Sequence, residues 1–574
     1  MSSDFISQGT VGELDPHLKR VIAAEDQRQL EKIILIPSES IAAPAVRELM
    51  SSGFGNIYAE GYPRPDSRLQ TEAEILDIEM ELARYRRFSD PRYYKGVEYA
   101  DIVEALTQRR AAKLFTANGV TPEELYVNVQ PLSGSPANSA VYSALMEPGD
   151  TLMGLDLIHG GHLTHGSKVS RSGKVYQAVP YTVDLETERL DYDAIEALAV
   201  EARPKVLVAG FSAYPLLVDW RRFREIADKC GAYLMADIAH ISGLVAAGVH
   251  PSPIGIADVV TTTTHKSLCG PRGAMIMTHR ADISRRVDRS VFPGEQGGPH
   301  LNNMVALALG LKLAGGERFR ALQRRIVANA SRLARNLSEL GIRVVSGGTE
   351  NHLLLLDVKS VSHDGVHLSG DMASRILDVA GFVTNSNAIP GDRGAFSSTG
   401  IRMGTVWISQ LGFDEPEIDL MAEAIAGVLK GCIPFSYAGR GRRELLRAKV
   451  RKEALDAGRA AAAKLTGHPR QQPITDTIEV RGPGAHAFLN QVLTSDLTGL
   501  EEGQSADSHL YGLETSLPCT VLRLDDLKYL IRFPDDSSAA FAAGWLEDLS
   551  DGYVYFEDVY AKIIGPVAIV PYSG

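Results

Sequence analysis

The sequence predicts an α/β protein: a large domain on a mostly parallel sheet, a smaller α/β domain after it, and an extra small α+β domain at its end. Three observations carry this. Helical and strand-like segments alternate from about residue 100 to 280, which implies parallel strands joined by right-handed crossovers. The strand-like runs are mostly continuously apolar, as strands buried on both faces are. The pattern then restarts twice, near residue 315 and near residue 474.

In order, a helix ends over 111–115 and 125–129 is a short, largely apolar strand. The Ser-Gly-Ser turn at 133–135 opens a helix running through Met146. Further strands are predicted at 151–155, 205–210, 232–236 and 258–263. The second pattern has a long helix (317–340), short strands at 343–345 and 352–358, and helices near 371–379 and over 415–429. Residues 440–470 hold ten Lys or Arg against three Asp or Glu and read as a solvated connecting helix. QQPITD (471–476) is polar, contains Pro and marks a linker. Strands follow at 477–480, 520–524, 529–533 and 554–558. The expected domains are an N-terminal arm (1–60), a large domain (61–325), a small domain (326–437), a basic helical linker (438–473) and an accessory domain (474–574).

The composition narrows the function. The 574 residues are 44% hydrophobic and 23% charged, ordinary for a globular protein, and the net charge of −12 argues against a nucleic-acid partner. The four cysteines lie far apart, so neither a zinc site nor a disulfide framework is indicated. The first residues lack a basic start followed by an apolar core, and no apolar run nears the roughly 18 residues that span a bilayer. No membrane partner is expected, and the expected location is the cytoplasm.

Chemistry concentrates at the strand ends. In ADVVTTTTHKSLCGPRG (257–273) a buried strand runs into a Thr cluster, then His265 and Lys266. A lysine there is costly unless paired or neutral, and an imine with a carbonyl cofactor removes the charge. Alone, Lys266 would read as a surface residue just past a strand. Its partners change that reading. Asp237 ends the apolar run AYLM-A, at the carboxyl edge where open sheets bind ligands. Pyridoxal phosphate (PLP) needs an anion beside its pyridine nitrogen, and Asp237, with His240 three residues on, fits that need. The turn Ser133–Gly134–Ser135 offers N–H groups and hydroxyls to a phosphate at a helix start. HGGHLTHG (159–166) has three His and three Gly in a spacing that matches no standard zinc pattern, so no metal is expected. An imidazole lying flat on a cofactor ring explains the glycines, which allow close backbone approach. In STGIRMGT (398–405), Arg402 is a candidate carboxylate receptor because its fork gives two parallel hydrogen bonds.

The motifs YAEGYP (58–63), YYKGVEYADIVE (93–104), NVQPLSGSPAN (128–138), GGHLTHG (160–166), GFSAYP (210–215), ADIAHISGLVAAG (236–248), TTTTHKSLCGPRG (261–273), FPGEQGGP (292–299), GGTENHLLLLD (347–357) and TGIRMGT (399–405) closely resemble serine hydroxymethyltransferase, in matching order over roughly residues 15–430. The resemblance implies a fold-type I PLP-dependent transferase, a homodimer or tetramer with sites at the subunit interface, that interconverts serine and glycine and passes the carbon to tetrahydrofolate. It implies Lys266 as the Schiff-base lysine, Asp237 as the ring-nitrogen partner and His162 as the stacking histidine. Ser133, Gly134, Ser135 and His265 match phosphate or nearby contacts, and Gly298 matches a loop reaching the neighbouring subunit's phosphate. Ser212 and His240 match residues near the cofactor O3′ and the substrate; Ser38, in IPSES, and Arg402 match the carboxylate clamp. Tyr58 and Tyr94 match tyrosines at the entrance, Arg272 an arginine that helps order the site, and Thr263 belongs to the same catalytic group. Glu60 matches the glutamate that handles the hydroxymethyl proton, a task a carboxyl in a closed site can perform. For folate, the resemblance points to Glu60, Tyr93, Leu157, Gly161, Leu163 and Asn387.

Two stretches depart from the family pattern. Residues 64–92 interrupt the tyrosine-bearing loop with a helical segment rich in paired Glu and Arg. In the tail, IEVRGPGAHAFLNQVLTSDLTGLEEGQ (478–504) resembles the folate-binding aminomethyltransferase of glycine cleavage, and 545–570 is compatible with a later part of that fold. The likeness covers about 100 residues and implies an accessory module. Two rival readings stand beside the main one: a folate-independent PLP aldolase acting on β-hydroxy amino acids such as threonine, and a catalytically silent regulatory homologue.

Overall fold

The apolar runs form one seven-stranded sheet because each strand feeds two separate cores. The structure, a computed structural model, describes residues 8–88, 91–394, 397–438, 444–468, 475–511, 516–555 and 562–572. Its contacts divide the chain into two compact units. The first comprises Ile34–Asp357 and Thr384–Asp419; the second comprises Met1–Ile33, Val358–Val383 and Leu420–Gly574.

In the first unit the strands are β1 (Tyr126–Asn128), β2 (Thr151–Leu155), β3 (Gln177–Tyr181), β4 (Val206–Gly210), β5 (Tyr233–Asp237), β6 (Val259–Thr263) and β7 (Ala274–Thr278). They lie in the order β1-β7-β6-β5-β4-β2-β3. Neighbours from β6 to β3 pair in parallel, while β7 pairs antiparallel with both β6 and β1. Leu207, Ala209, Leu234, Ala236, Met275 and Met277 enter one hydrophobic core. Val206, Val208, Met235, Val259, Ala274 and Ile276 enter another. Successive residues therefore face opposite cores, and both faces must be apolar.

A second, wholly antiparallel sheet runs β10-β11-β9-β8, from β8 (Arg343–Val344), β9 (Leu353–Asp357), β10 (Asn385–Asn387) and β11 (Gly400–Gly404). The long helix Glu317–Glu339 is clamped to the helix that starts at Glu415: Arg332 Nε and Nη2 donate to the two Asp419 oxygens at 2.6 and 2.7 Å. The insertion 64–92 holds a 3-10 turn (Pro65–Leu69) and two helices, Glu72–Ile75 and Ile78–Phe88. The break falls at Asp77, whose Oδ1 accepts the Met80 N–H at 3.1 Å and caps the second helix.

The second unit corrects the expectation of a solvated helical linker over 438–473. Cys432–Ala438 (β12) and Glu444–Val450 (β13) form an antiparallel ladder, and only Lys452–Thr466 is helical. That helix buries Leu455, Gly458 and Ala462, spaced to share one face. A Cβ on Gly458 would sit 2.6 Å from Val428 Cγ2, and one on Gly381 would sit 2.6 Å from the Ala462 Cβ. Arg459 meets the fully buried Asp548 at 2.6 Å, tying the helix to the tail.

The tail sheet is an antiparallel set of five strands, in spatial order Ser505–Leu510, Leu517–Asp525, Lys528–Arg532, Thr477–Arg481 and Ala568–Pro571, each beside the next. Residues 554–555 are not strand, and 556–558 of the strand expected there lie outside the described residues. Among the described residues no helix is long and apolar enough to cross a membrane.

Candidate active site

Two parallel strands end side by side and present the reactive groups. Asp237 closes β5 and pairs in register with Gly210 and Thr261. A Cβ on Gly210 would lie 2.6 Å from the Asp237 Cβ, so only glycine allows this approach. Asp237 Oδ2 accepts from Asn138 Nδ2 (2.8 Å) and pairs with His165 Nε2 (3.1 Å); its Oδ1 accepts the Ala239 N–H at 3.0 Å. Burial alone would raise this carboxyl. The His165 hydrogen bond, the neighbouring His165 and His162 rings and the Asn138 amide instead hold it well below the usual carboxylate range.

The hydrogen bonds also fix the two histidine tautomers. His162 Nδ1 accepts the Thr164 N–H at 3.2 Å, which leaves its ring proton on Nε2. His165 Nδ1 accepts the His162 N–H at 3.4 Å, which leaves Nε2–H for Asp237. Burial, then His165, push the His162 ring down to about 4, so it is neutral at pH 7. The His240 and His352 rings lie 5.5 Å apart between centroids, tilted by 31°, and burial lowers both, His352 to about 3.

Lys266 follows β6 by three residues. Burial pushes its ammonium down to about 8, although Asp237 pulls the other way. Arg402, on β11, donates from Nη1 to the Ser212 carbonyl (2.6 Å) and from Nε to Asn385 Oδ1 (3.1 Å). Burial lowers it to about 10, and among the described residues no carboxylate pairs with it. Asp237, Lys266 and Arg402 therefore leave the cluster with one net positive charge, which suits anionic ligands.

The remaining candidates surround this cluster or stand apart from it. Ser133 is the N-cap of the helix Gly134–Leu145, yet its side chain caps nothing. A Cβ on Gly134 would meet Thr263 Cγ2 at 2.8 Å, so the helix start abuts β6. Thr263 donates to the Ala239 carbonyl at 3.3 Å. Ser135 is exposed. Burial, then Arg272 and Lys266, push His265 down to about 4. Its Nε2 lies 3.4 Å from Arg272, and its Nδ1 is buried without a partner. Leu157 starts a 3-10 turn after β2, Leu163 is exposed, and a Cβ on Gly161 would overlap the Leu155 carbonyl. The Gly404 N–H donates to the Leu35 carbonyl at 2.7 Å, which brings the segment carrying Ser38 beside the Arg402 strand. Asn387 sits on β10.

Tyr58, Glu60, Tyr93 and Tyr94 form a separate group. The Tyr94 ring lies 5.5 Å from Tyr58 and 5.4 Å from Tyr93. Cβ atoms on Gly297 and Gly298 would meet Glu60 Oε1 at 3.0 Å and Tyr58 Cδ1 at 2.9 Å. Tyr58 is 62% and Tyr93 79% exposed, and no described contact joins this group to Lys266.

Sequence reasoning did not single out Asn138, His165, His352 or Arg92. Arg92, the last residue of the insertion, is fully buried. Its Nη1 donates to the carbonyls of Ala59 (2.8 Å) and Gly61 (3.0 Å), on either side of Glu60. Its Nε and Nη2 meet Asp101 (2.5 Å) and Glu104 (2.7 Å). The Tyr93 N–H donates to the Glu60 carbonyl at 2.9 Å. Three successive carbonyls are thus held by residues 92–93. Arg92→Met should cost about 3–5 kcal/mol, because it strands the buried Glu104 charge; a denaturant midpoint close to that of the parent chain would contradict this.

The residues present fit an aldehyde cofactor that carries a phosphate. A partially neutralised buried amine, an ionised buried carboxylate, uncapped hydroxyl and N–H donors at a helix start and an unpartnered His265 nitrogen lie around one strand edge. Among the described residues no group of three His, Cys, Asp or Glu is arranged to hold a metal.

The family model described as serine hydroxymethyltransferase matches residues 11–90 and 87–425. The chain belongs to the serine hydroxymethyltransferase family. Proteins named serine hydroxymethyltransferase from Acinetobacter radioresistens and Acinetobacter baylyi are each 46% identical to it over 422 residues, 73% of this chain and 92% of theirs. One from Acinetobacter baumannii is 45% identical over the same span. The two matched segments of the serine hydroxymethyltransferase model meet at residues 87–90, at the end of the insertion, and the second stops at 425, before the tail.

Proposed function

We propose that this chain interconverts serine and glycine, with PLP as cofactor and tetrahydrofolate accepting the hydroxymethyl carbon as 5,10-methylenetetrahydrofolate. The observation that carries the reading is one buried cluster holding a lysine lowered to about 8, a charged Asp237 and an arginine with no carboxylate partner. Bound PLP supplies the electron sink for carbon–carbon cleavage.

The chain's residues then have distinct tasks. Lys266 would hold the cofactor aldehyde, Asp237 its ring nitrogen and His162 its face, with Ser133, Gly134, Ser135 and His265 at the phosphate. Ser212, His240, Thr263 and Arg272 support the cofactor and substrate. Arg402 and Ser38 receive the amino-acid carboxylate. Glu60 moves the hydroxymethyl proton, flanked by Tyr58 and Tyr94, and folate lies against Tyr93, Leu157, Gly161, Leu163 and Asn387. A homodimer, singly or paired as a tetramer, completes the site: the exposed Tyr58–Glu60–Gly298 edge of one copy would serve the Lys266 cluster of another. The tail, 474–574, is an accessory module on this reading. The cytoplasm is the compartment we assign, in keeping with four unpaired cysteines.

Glycine formation from serine, assayed with and without tetrahydrofolate, tests the proposal. Turnover should require folate; folate-independent cleavage that prefers threonine would assign an aldolase instead. A visible cofactor band with no turnover of either substrate would assign a silent homologue.

The lowered lysine has a pH signature. The neutral amine captures the aldehyde, and its fraction rises with pH through about 8. Reconstitution of cofactor-free protein should therefore speed up about tenfold from pH 7 to 9 and then level off, as expected for a shifted lysine. A rate that climbs steadily toward pH 10.5 would show an ordinary amine.

A further inference from the structure

The insertion builds a second cleft that none of the Lys266 cluster lines. It encloses about 410 Å³, enough for a small ligand, and its walls come from residues 62–68, the helix Glu98–Phe115, β1 and the helix Ala281–Arg289. Four guanidinium groups line it: Arg64, Arg68, Arg109 and Arg285. Two have carboxylate partners on the rim, Arg64 with Asp66 (3.2 Å) and Arg109 Nη2 with Glu123 (2.7 Å).

The other two have none among the described residues. Arg68 lies over the Tyr126 ring, 4.2 Å from its centroid, and donates to the Tyr126 hydroxyl at 3.3 Å and to the Glu123 carbonyl. Arg285 is exposed. Arg109 Nη1 is buried and has no hydrogen-bond partner. Asp288 is the one acid among the lining residues, and its Oδ1 already accepts the Asn128 amide at 2.8 Å.

Like charges held together repel, and a buried N–H without an acceptor is costly, so such a cleft is incomplete without an anion. We propose that it binds a small polyanion bearing phosphate or several carboxylates. Guanidinium forks pair with either group through parallel hydrogen bonds. Arg64 and Arg68 belong to the insertion, so the site goes with that segment rather than with the catalytic cluster.

Calorimetric titration of the full-length holoenzyme tests this, with inorganic pyrophosphate and tricarballylate as probes. Saturating cofactor keeps both probes off the residues assigned to PLP. At least one probe should bind saturably, and the better one identifies the anion class. Arg109→Gln should weaken binding by about tenfold, the scale of one lost charged hydrogen bond. Arg285→Gln, at an exposed side chain without a partner, carries no folding risk and should weaken binding several-fold. Arg320→Gln removes the same charge elsewhere and should change nothing. No saturable binding of either probe up to about 10 mM, binding that survives both cleft variants, or equal weakening by Arg320→Gln would overturn the proposal.

Discussion

Lys266→Ala should lower serine turnover by on the order of a thousandfold or more, the scale seen when a covalent-catalysis residue is removed. The variant should also lose the visible absorbance of the lysine-linked cofactor. Folding should survive, because no described ion pair or hydrogen bond depends on the Lys266 amine and its burial disfavours the charged form. Removing it deletes a positive group from beside Arg402, His162 and His240, all of which are pushed toward neutrality in the same pocket. Cofactor and anionic substrate could still be drawn there by Arg402. The informative comparison is therefore turnover against binding. Turnover within tenfold of the parent enzyme would remove Lys266 from the proposed chemistry.

Asp237→Asn is expected to cost on the order of a hundredfold in kcat with a much smaller change in KM, the mark of an interaction that grows toward the transition state. The substitution keeps the side chain's shape and removes its charge. It also spoils the local donor balance. Oδ2 takes both Asn138 and His165, and Oδ1 takes the Ala239 N–H. An amide has one oxygen for those donors, so at least one is left facing an NH₂ group, at about 1–3 kcal/mol. KM should move little because the proposed carboxylate receptor, Arg402, is held by Ser212 and Asn385 and not by Asp237. A variant that keeps parental kcat would show that a charge at this position is not needed.

The sequence made the sheet legible where burial on both faces imposed continuous apolar runs, as in β4 and β5. It hid β3, a partly exposed edge strand containing Pro180, and β7, which follows β6 after only ten residues with no helix between them. The reading of strand, helix, strand does not find a hairpin. In the site, Asp237, Lys266 and Arg402 stood out because charged residues end or interrupt apolar strands. Asn138 and His165 did not, because their importance exists only when the start of one helix, a glycine-rich turn and a strand end meet. His165 carried a faint signal, as the third histidine of a segment already marked as unusual.

Residues 440–470 misled for a definable reason. Basic residues dominate the composition and suggested a solvated helix, while Leu455, Gly458 and Ala462 lay at the spacing of a buried stripe. Composition reported the outside of the element, and the spacing of its small and apolar residues reported the inside. Within the span the seven residues Glu444–Val450 are strand, where Ala448 and Val450 are buried on a ladder with β12.

A Cβ on Gly61 would stand 2.9 Å from the Arg92 Cα, so the chain leaves its family course and rejoins it at nearly one point. A detour with touching ends imposes little on the polypeptide either side, whatever its length. That junction is a natural port: a fluorescent reporter or a second enzyme could be grafted there, in place of residues 64–91 and with the Arg92 clamp kept, without parting Glu60 from the tyrosines behind it.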